Sequence, residues 1–157
     1  MEKDLSKFNN FIDKKMSNNH MAKKVKAVKI NNEIIILKTA KNLCKYLHEK
    51  NIYIKLQHED FLPKLKYFDD KHLILGLTDV GDSIEIFKLQ KKEKYNELAE
   101  NINIQIKSIS DKLLNDYNLY HNDLKERNIC IDNENKIRFI DFDWTSEKKK
   151  FKIFKIE

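Results

Sequence analysis

The sequence reads His121-Asn122-Asp123-Leu124-Lys125-Glu126-Arg127-Asn128 and, thirteen residues after Asn128, Asp141-Phe142-Asp143. These motifs have the patterns H-x-D-L-K-x-x-N and D-F-D. Between them lie two β-prone runs and a polar turn, at Ile129–Ile131, residues 136–140 and residues 132–135 respectively. This order predicts a short hairpin with one polar cluster at each end. We therefore expect Asp123, Asn128 and Asp141 to lie at one rim of the hairpin.

The residue types at this rim suit phosphoryl transfer from a nucleotide. Such catalysis is mostly positioning and charge neutralisation, with a carboxylate to orient the attacking hydroxyl and oxygen ligands for magnesium. Asp123 can supply the carboxylate. Asn128 and Asp141 can supply the ligands, because Mg²⁺ prefers hard oxygen atoms and usually takes only one or two of them from protein. Lys125 would point the same way as Asp123 and neutralise the transferring phosphate.

Residues 119–144 resemble the catalytic loop and metal-binding segment of the protein-kinase-like superfamily in residue type and spacing. The resemblance implies an α+β fold, with a small antiparallel-sheet lobe and a truncated helical lobe that carries the catalytic hairpin. It also implies ATP as substrate and Mg²⁺ as cofactor. The competing interpretation is that the Asp and Asn residues of the motifs are turn formers in a chain rich in lysine and asparagine. Asp132, outside the motifs, is expected to be merely a turn residue. The full octet, the hairpin and the second aspartate together favour the kinase-like interpretation.

Two strand pairs are predicted in the first half of the chain. Val25–Ile30 and residues 33–38 flank Asn31-Asn32, a strong hairpin signal because asparagine tolerates positive φ. The second pair is expected at residues 61–68 and 72–77, joined through Asp69-Asp70. Alternating apolar positions and short connections predict one antiparallel sheet for all four strands.

A helix is predicted at residues 39–51, packed on this sheet. Thr39 is the expected N-cap, and Leu43, Tyr46 and Leu47 have the spacing of one helix face. In the family, a helix at this place carries the glutamate that pairs with the strand lysine.

The resemblance implies nucleotide-binding roles for residues of this first half. Lys38 ends the second strand, where the family's lysine holds the α and β phosphates; the alternative is an edge-strand lysine, common in any sheet. Glu49 is the candidate partner of Lys38, with Glu59 in reserve, and the alternative is a solvated glutamate near a helix end. Backbone amides at Asp79 and Val80, in a hinge at residues 78–84, would meet the adenine ring.

The hinge is followed by a long helix. Gly76 and Gly81 are the only glycines of the chain, and their position near the hinge fits a need for backbone freedom. Residues 91–117 predict one helix whose apolar stripe forms the core: Leu98, Ile102, Ile106, Ile109, Leu113 and Leu114. The helix leads into the catalytic loop, where we expect His121 to brace the loop by packing and hydrogen bonding rather than to act as an acid or base.

The sequence departs from the family pattern in several places. No glycine precedes Gly76, so the glycine-rich loop that covers the ATP phosphates is missing, and a polar turn at residues 17–20 takes its place. Asn122 replaces the arginine that would bind an activation-loop phosphate, so regulation of that kind is not expected. Asp143 replaces the glycine of D-F-G, as in small-molecule phosphotransferases and atypical kinases. Fourteen residues follow Asp143, without an activation segment or substrate-docking helices.

The implied organisation is a single kinase-like domain, residues 1–157. It comprises a small lobe at about residues 20–77, the hinge at 78–84, a partial large lobe at 85–145 and a basic tail at 146–157. A protein partner that completes the large lobe is compatible with this organisation.

The composition of the chain disfavours several other classes of protein. The chain has 157 residues, 41% of them hydrophobic, and a net charge of +6. Its lysines are interspersed with acids and lack an aromatic stacking pattern, which favours a solvated surface over a nucleic-acid site. Cys44 and Cys130 lack zinc-ligand spacing and are expected to be buried reduced thiols. The polar start is no signal peptide and no apolar run is long enough for a membrane span, so we expect a cytoplasmic or nuclear protein.

Three functions remain open from the sequence. The motifs favour an ATP-dependent phosphotransferase, and Lys125 in the D-x-K arrangement favours a protein Ser/Thr acceptor, although choline-kinase-like and aminoglycoside-kinase-like enzymes share H-N-D and D-F-D. A pseudokinase that binds nucleotide or protein is the second interpretation, favoured by the missing glycine loop. A basic nucleic-acid-associated protein is the third, supported only by charge.

Overall fold

A computed structural model describes residues 3–4 and 25–150 of the chain. The molecule consists of two compact units, an amino-terminal unit, Met1–Val80, and a carboxy-terminal unit, Gly81–Glu157. The polar turn expected at residues 17–20 and the last part of the expected basic tail lie outside the described residues. Within the described part, no helix combines the length and the apolar character needed to cross a membrane.

The amino-terminal unit is built on one sheet. Four strands form its antiparallel part in the order β4-β5-β3-β2, and β1 adds to β4 in parallel. The strands are β1 (Lys3–Asp4), β2 (Val25–Ile30), β3 (Glu33–Thr39), β4 (Leu65–Asp69) and β5 (Ile74–Thr78). The prediction of a single antiparallel sheet from four strands is confirmed. The short strand β1 was not predicted, because two polar residues carry no strand pattern.

The hairpin between β2 and β3 has the turn that the sequence predicts. Asn31 and Asn32 both have positive φ, 51° and 65°, as a tight two-residue turn requires. The resulting register pairs Val28 with Ile35, and both side chains are buried in the core of this sheet with Leu37. The alternation of buried and exposed positions along β2 therefore follows from the turn.

Both strands of the second pair begin later than predicted. β4 starts at Leu65 rather than at residue 61, and Pro63, which lacks the N–H that a ladder needs, precedes it. β5 starts at Ile74 rather than at residue 72, because the buried Asp69 carboxylate organises the turn. Asp69 Oδ1 accepts hydrogen bonds from the backbone N–H groups of Lys71 and His72, each at 3.0 Å.

The first helix, α1 (Leu43–Lys55), also begins later than predicted, and it ends at Lys55 rather than at residue 51. Thr39 was expected as its N-cap, but Thr39 pairs with Ile74 as the last residue of β3. The cap is Asn42, whose Oδ1 accepts from Lys45 N–H at 2.9 Å. An asparagine side chain satisfies an orphan N–H of the first turn as well as a threonine does.

The buried face of α1 differs from the predicted one. Tyr46 is buried as expected, but Leu43 and Leu47 are 54% and 44% exposed. Cys44 on the same helix is exposed rather than buried, whereas Cys130 is buried as expected. The face that packs against β4 and β5 instead includes Glu49, Ile52 and Tyr53. Apolar spacing predicted the wrong face of the helix because the buried face includes a glutamate, Glu49, which a pattern of apolar residues leaves out.

The carboxy-terminal unit combines helices with a three-stranded antiparallel sheet of order β6-β7-β8. Its elements are β6 (Asp82–Ser83), α2 (Ile84–Gln90), α3 (Lys92–Tyr117), a 3-10 turn (Glu126–Asn128), β7 (Ile129–Ile131) and β8 (Ile137–Phe139). The predicted long helix is confirmed and begins one residue later than expected. The predicted hairpin is also confirmed, and its strand ends lie within one residue of the expected positions. The short helix α2 was not predicted. Its N-cap is Ser83, whose Oγ accepts from Ile86 N–H.

The two glycines serve different needs. Gly76 lies in β5 where an added Cβ would be 2.9 Å from Tyr67 Cβ, so it permits close packing rather than the backbone freedom that was expected. Gly81 does have a positive φ of 101°, and an added Cβ would be 2.1 Å from Ile131 O. The chain can therefore pass β7 at this distance only with glycine.

Asp132 organises the β7–β8 hairpin, and is therefore more than the simple turn residue that was expected. Its Oδ1 accepts from the backbone N–H groups of Glu134 and Lys136, and its Oδ2 accepts from Arg138 at 2.8 Å. Burial by itself raises the pKa of Asp132, but these hydrogen bonds outweigh it and hold the pKa below the ordinary 3.8.

Helix α3 is fastened to the same hairpin by Gln105. The Gln105 Nε2 donates to Asn135 O, and Oε1 accepts from Ile137 N–H, both at 2.9 Å. The amide thus satisfies one backbone group on each side of the turn. The position of the β7–β8 hairpin on α3 is set by this side chain as well as by the apolar stripe.

Candidate functional site

The loop that carries the H-x-D motif begins at the end of α3. Asn118, with a φ of 54°, ends the helix in the left-handed conformation, and Leu119 N–H returns to Leu113 O. Leu119 is buried, which fixes the direction in which the chain leaves the helix. The next residues therefore enter the interior of the unit.

His121 braces the loop, as expected. Its ring is buried, 4.9 Å from the Phe142 ring and 5.7 Å from the Phe139 ring between centroids. Its Nδ1 accepts from Asp123 N–H at 3.1 Å, so the proton is on Nε2, which donates to Ile140 O at 2.8 Å. The neutral imidazole thus joins the H-x-D loop to the strand end that precedes Asp141.

Asp123 and Asn128 form a buried pair. Asn128 Nδ2 donates both to Asp123 O at 2.9 Å and to Asp123 Oδ2 at 3.0 Å, and the two residues are 6% and 4% exposed. These bonds fix the amide so that its oxygen is the atom that could coordinate a hard cation. Lys125 Nζ lies 3.5 Å from Asp123 Oδ1 and is partly exposed. A carboxylate, an amide oxygen and an ammonium group are thus brought together.

Asp141 is tied to this pair through its neighbour Ile140. Ile140 N–H donates to Asn128 O at 2.9 Å, and Ile140 O accepts from His121. Asp141 itself has a φ of 60°, a conformation that Asp tolerates better than most residues but that costs about 1 kcal/mol or more. Phe142 is fully buried and anchors the turn formed by Asp141-Phe142-Asp143. The structure thus places Asp123, Asn128 and Asp141 on adjoining backbone segments of one unit.

Lys38 and Glu49 form an ion pair in the amino-terminal unit, with Lys38 Nζ and Glu49 Oε2 2.7 Å apart. Glu49 is 1% exposed, and Lys38 lies on β3, which has a neighbouring strand on each side. The two alternative interpretations, an edge-strand lysine and a solvated glutamate, are therefore wrong. The reserve partner Glu59 is not needed for the pair. The roles of Lys38 and Glu49 toward a nucleotide stay predictions.

Asp79 and Val80 follow β5 at the end of the amino-terminal unit. Asp79 is exposed and Val80 is buried. Their backbone contact with an adenine ring stays a prediction.

Asn122 has contacts that the sequence did not reveal. Its Nδ2 donates to Trp144 O at 3.0 Å, Ser146 Oγ at 3.2 Å and Lys148 O at 3.0 Å, and its Oδ1 accepts from Lys150 N–H at 2.9 Å. The partners lie 22 to 28 residues further along the chain, where no local pattern links them to Asn122. The sequence indicates only that Asn122 replaces an arginine of the family motif.

Comparison with known proteins agrees with a kinase-like relation. No family model matches the chain. The sequence is similar to an Aurora kinase of Encephalitozoon cuniculi (strain GB-M1), with 25% identity over 114 residues. The match covers 71% of this chain but 41% of that kinase, so the chain spans less than half the length of this relative. The similarity suggests a protein-kinase-like function at this coarse level.

Proposed function

We propose that the chain is a protein-kinase-like phosphotransferase that transfers the γ-phosphate of ATP to a hydroxyl group, with a protein Ser/Thr side chain as the acceptor class. The observation that carries the proposal is the buried Asp123–Asn128 pair, joined through Ile140 to Asp141. The weak similarity to an Aurora kinase supports it independently.

In this proposal the acceptor oxygen forms a bond to the γ-phosphorus while the bond to the β–γ bridging oxygen breaks, and ADP leaves with that oxygen. Asp123 orients the hydroxyl and accepts its proton. Its hydrogen bond from Asn128 holds the carboxylate in one orientation, which is the positioning on which this chemistry depends. Lys125, beside the same carboxylate, neutralises charge on the transferring phosphate.

Asn128 and Asp141 are the proposed ligands of Mg²⁺. An amide oxygen and a carboxylate are the hard donors that Mg²⁺ takes, and the bound ion would neutralise phosphate charge. In the amino-terminal unit, Lys38 would contact the α and β phosphates with Glu49 fixing its ammonium group. The backbone at Asp79 and Val80 would contact the adenine.

A pseudokinase is the second candidate function. The absence of any glycine before Gly76 favours it, because side chains in a phosphate-covering loop hinder close approach of the backbone to phosphate. In this candidate the same residues bind nucleotide without transfer.

The test is transfer from radiolabelled ATP with Mg²⁺ to generic protein acceptors, choline and aminoglycosides, with Asp123→Asn as the variant. Transfer to protein that is lost in the variant supports the proposal. Transfer to a small molecule would change the acceptor class. Nucleotide binding without transfer to any acceptor would favour the pseudokinase, and no binding at all would contradict both.

A further inference from the structure

We propose that Asn122 is a positioning residue that fixes the Asp141-Phe142-Asp143 turn by holding residues 144–150 behind it. The proposal rests on the proposed function for the role of Asp141 as a metal ligand. It concerns a residue that touches neither nucleotide nor acceptor in that function.

Two consecutive side chains of the catalytic loop hold the two ends of the turn. His121 Nε2 donates to Ile140 O, just before Asp141, at 2.8 Å. Asn122 Nδ2 donates to Trp144 O, just after Asp143, at 3.0 Å. The three residues of the turn are therefore bracketed by hydrogen bonds to adjacent residues. A shift of either end would move the Asp141 carboxylate relative to Asn128.

Asn122 makes these contacts from a left-handed backbone conformation. Its φ is 70°, which Asn adopts at lower cost than most residues. From this loop His121 and Asn122 contact opposite ends of the same segment. Loss of the side chain and loss of the backbone conformation can be separated, because glycine keeps the second without the first.

Asn122 supplies hydrogen bonds to the exposed part of the held segment. Residues 147–150 are exposed and carry three lysines, so apolar burial contributes little to fixing them. Nearer the turn, Thr145 is buried and bonds to His121 O, and the backbone of Ser146 pairs with Tyr120. Beyond Ser146, the bonds from Asn122 to Lys148 O and from Lys150 N–H join the chain back to the loop. Ser146 Oγ also donates to Lys148 O at 2.8 Å, but this bond lies within the segment and does not join it to the loop.

The bonds are between neutral groups, so the position needs neither a phosphate nor a protonation event. In the family pattern this residue is an arginine that binds an added phosphate. Here the amide binds the backbone directly. These contacts therefore form without a covalent modification.

Three variants test the proposal. Asn122→Gly keeps the backbone conformation and removes the side chain. Asn122→Asp keeps the shape but replaces the donor amide with a carboxylate oxygen facing Trp144 O, Ser146 Oγ and Lys148 O. The matched control is Asn118→Gly, because Asn118 is also left-handed, with a φ of 54°, and ends α3 in the same unit.

The first measurement is hydrogen exchange of the full-length protein, followed by mass spectrometry on peptides that cover residues 141–143 and 144–150. Both Asn122 variants should exchange faster in both regions than wild type and Asn118→Gly, while global unfolding by urea changes little. The second measurement is Mn²⁺ affinity in the presence of ATP, with ATP affinity without metal as the reference. Loss of a residue that supports a metal ligand costs about 10- to 100-fold in metal affinity, and metal-free ATP binding should stay unchanged.

The outcomes separate this proposal from the proposed function. Unchanged exchange in residues 144–150 overturns it, and so does faster exchange there with unchanged Mn²⁺ affinity. If the wild-type protein binds no Mn²⁺ in the presence of ATP, the proposed function fails. The positioning role of Asn122 is then tested by hydrogen exchange in residues 141–143. Faster exchange at these three residues in the variants then supports the positioning role, and unchanged exchange there overturns it.

Discussion

Substitution of Lys38 in its ion pair with Glu49 should reduce the stability of the protein much more than substitution of Glu49. Glu49 is 1% exposed, whereas Lys38 is 16% exposed and has a long stem that can carry its ammonium group to water. Lys38→Met removes the cation 2.7 Å from a buried carboxylate, for which the expected cost is about 3–5 kcal/mol. Glu49→Gln leaves a neutral group that still accepts a hydrogen bond, and its expected cost is about 1 kcal/mol.

The assay is urea unfolding followed by circular dichroism, with the free energy of unfolding extrapolated linearly to water. For a chain of this size, Lys38→Met should also lower the melting temperature by roughly 10 °C. The matched control is Lys41→Met, an exposed lysine two residues after β3, whose effect should stay within about 0.5 kcal/mol. The double variant Lys38→Met/Glu49→Leu should recover most of the loss, since an apolar pair replaces the ions.

The reasoning is refuted if Glu49→Gln costs as much as Lys38→Met, or if the double variant is less stable than Lys38→Met. Either result would mean that desolvation of Glu49 does not dominate the pair.

Asp141→Ala is expected to abolish the magnesium-dependent part of ATP binding in a thermal-shift assay, because it removes a proposed ligand. Glu134→Ala, at an exposed position of the hairpin turn, should keep that dependence, and equal magnesium dependence in Asp141→Ala would remove the assigned role. Phosphotransfer is expected to be slow, and Asp123→Asn should reduce turnover far more than ATP affinity, because Asp123 acts on the acceptor hydroxyl in the transition state; brisk transfer by this variant would overturn the mechanism. Asp132→Asn should destabilise the protein at neutral pH, and the difference from wild type should shrink as pH falls below 3.8, where the folded-state carboxylate with its lowered pKa also becomes protonated. Thermal unfolding from pH 7 to pH 2 measures this difference, and a constant difference would contradict it.

The parts of the fold that the sequence predicts are those set by local chemistry. The Asn31-Asn32 turn needs only residues that tolerate positive φ, and α3 needs only its apolar stripe. The start of α1 was wrong because Thr39 and Asn42 are both good caps, and the ladder between β3 and β5 decides between them. That choice is made by a strand 35 residues away, since Thr39 pairs with Ile74.

The candidate site follows the same division. The motifs predict that Asp123, Asn128 and Asp141 lie near one another, because the three residues belong to one loop and one hairpin. The burial of Glu49 was not predictable from apolar spacing, since a glutamate is rarely fully buried and its partner lies on another element. The contacts of Asn122 were missed for a similar reason, because they join segments more than twenty residues apart.

Trp144 is the single tryptophan of the chain, and it follows Asp143 directly. Its side chain is 48% exposed with Lys150 Nζ 5.3 Å from the ring, while its carbonyl is bound by Asn122. Selective excitation of tryptophan therefore reports on the environment of one turn rather than on an average over the molecule. Intrinsic fluorescence of the unlabelled protein gives a direct optical signal for ligand titration and for stopped-flow measurement at the place where the proposed metal ligand lies.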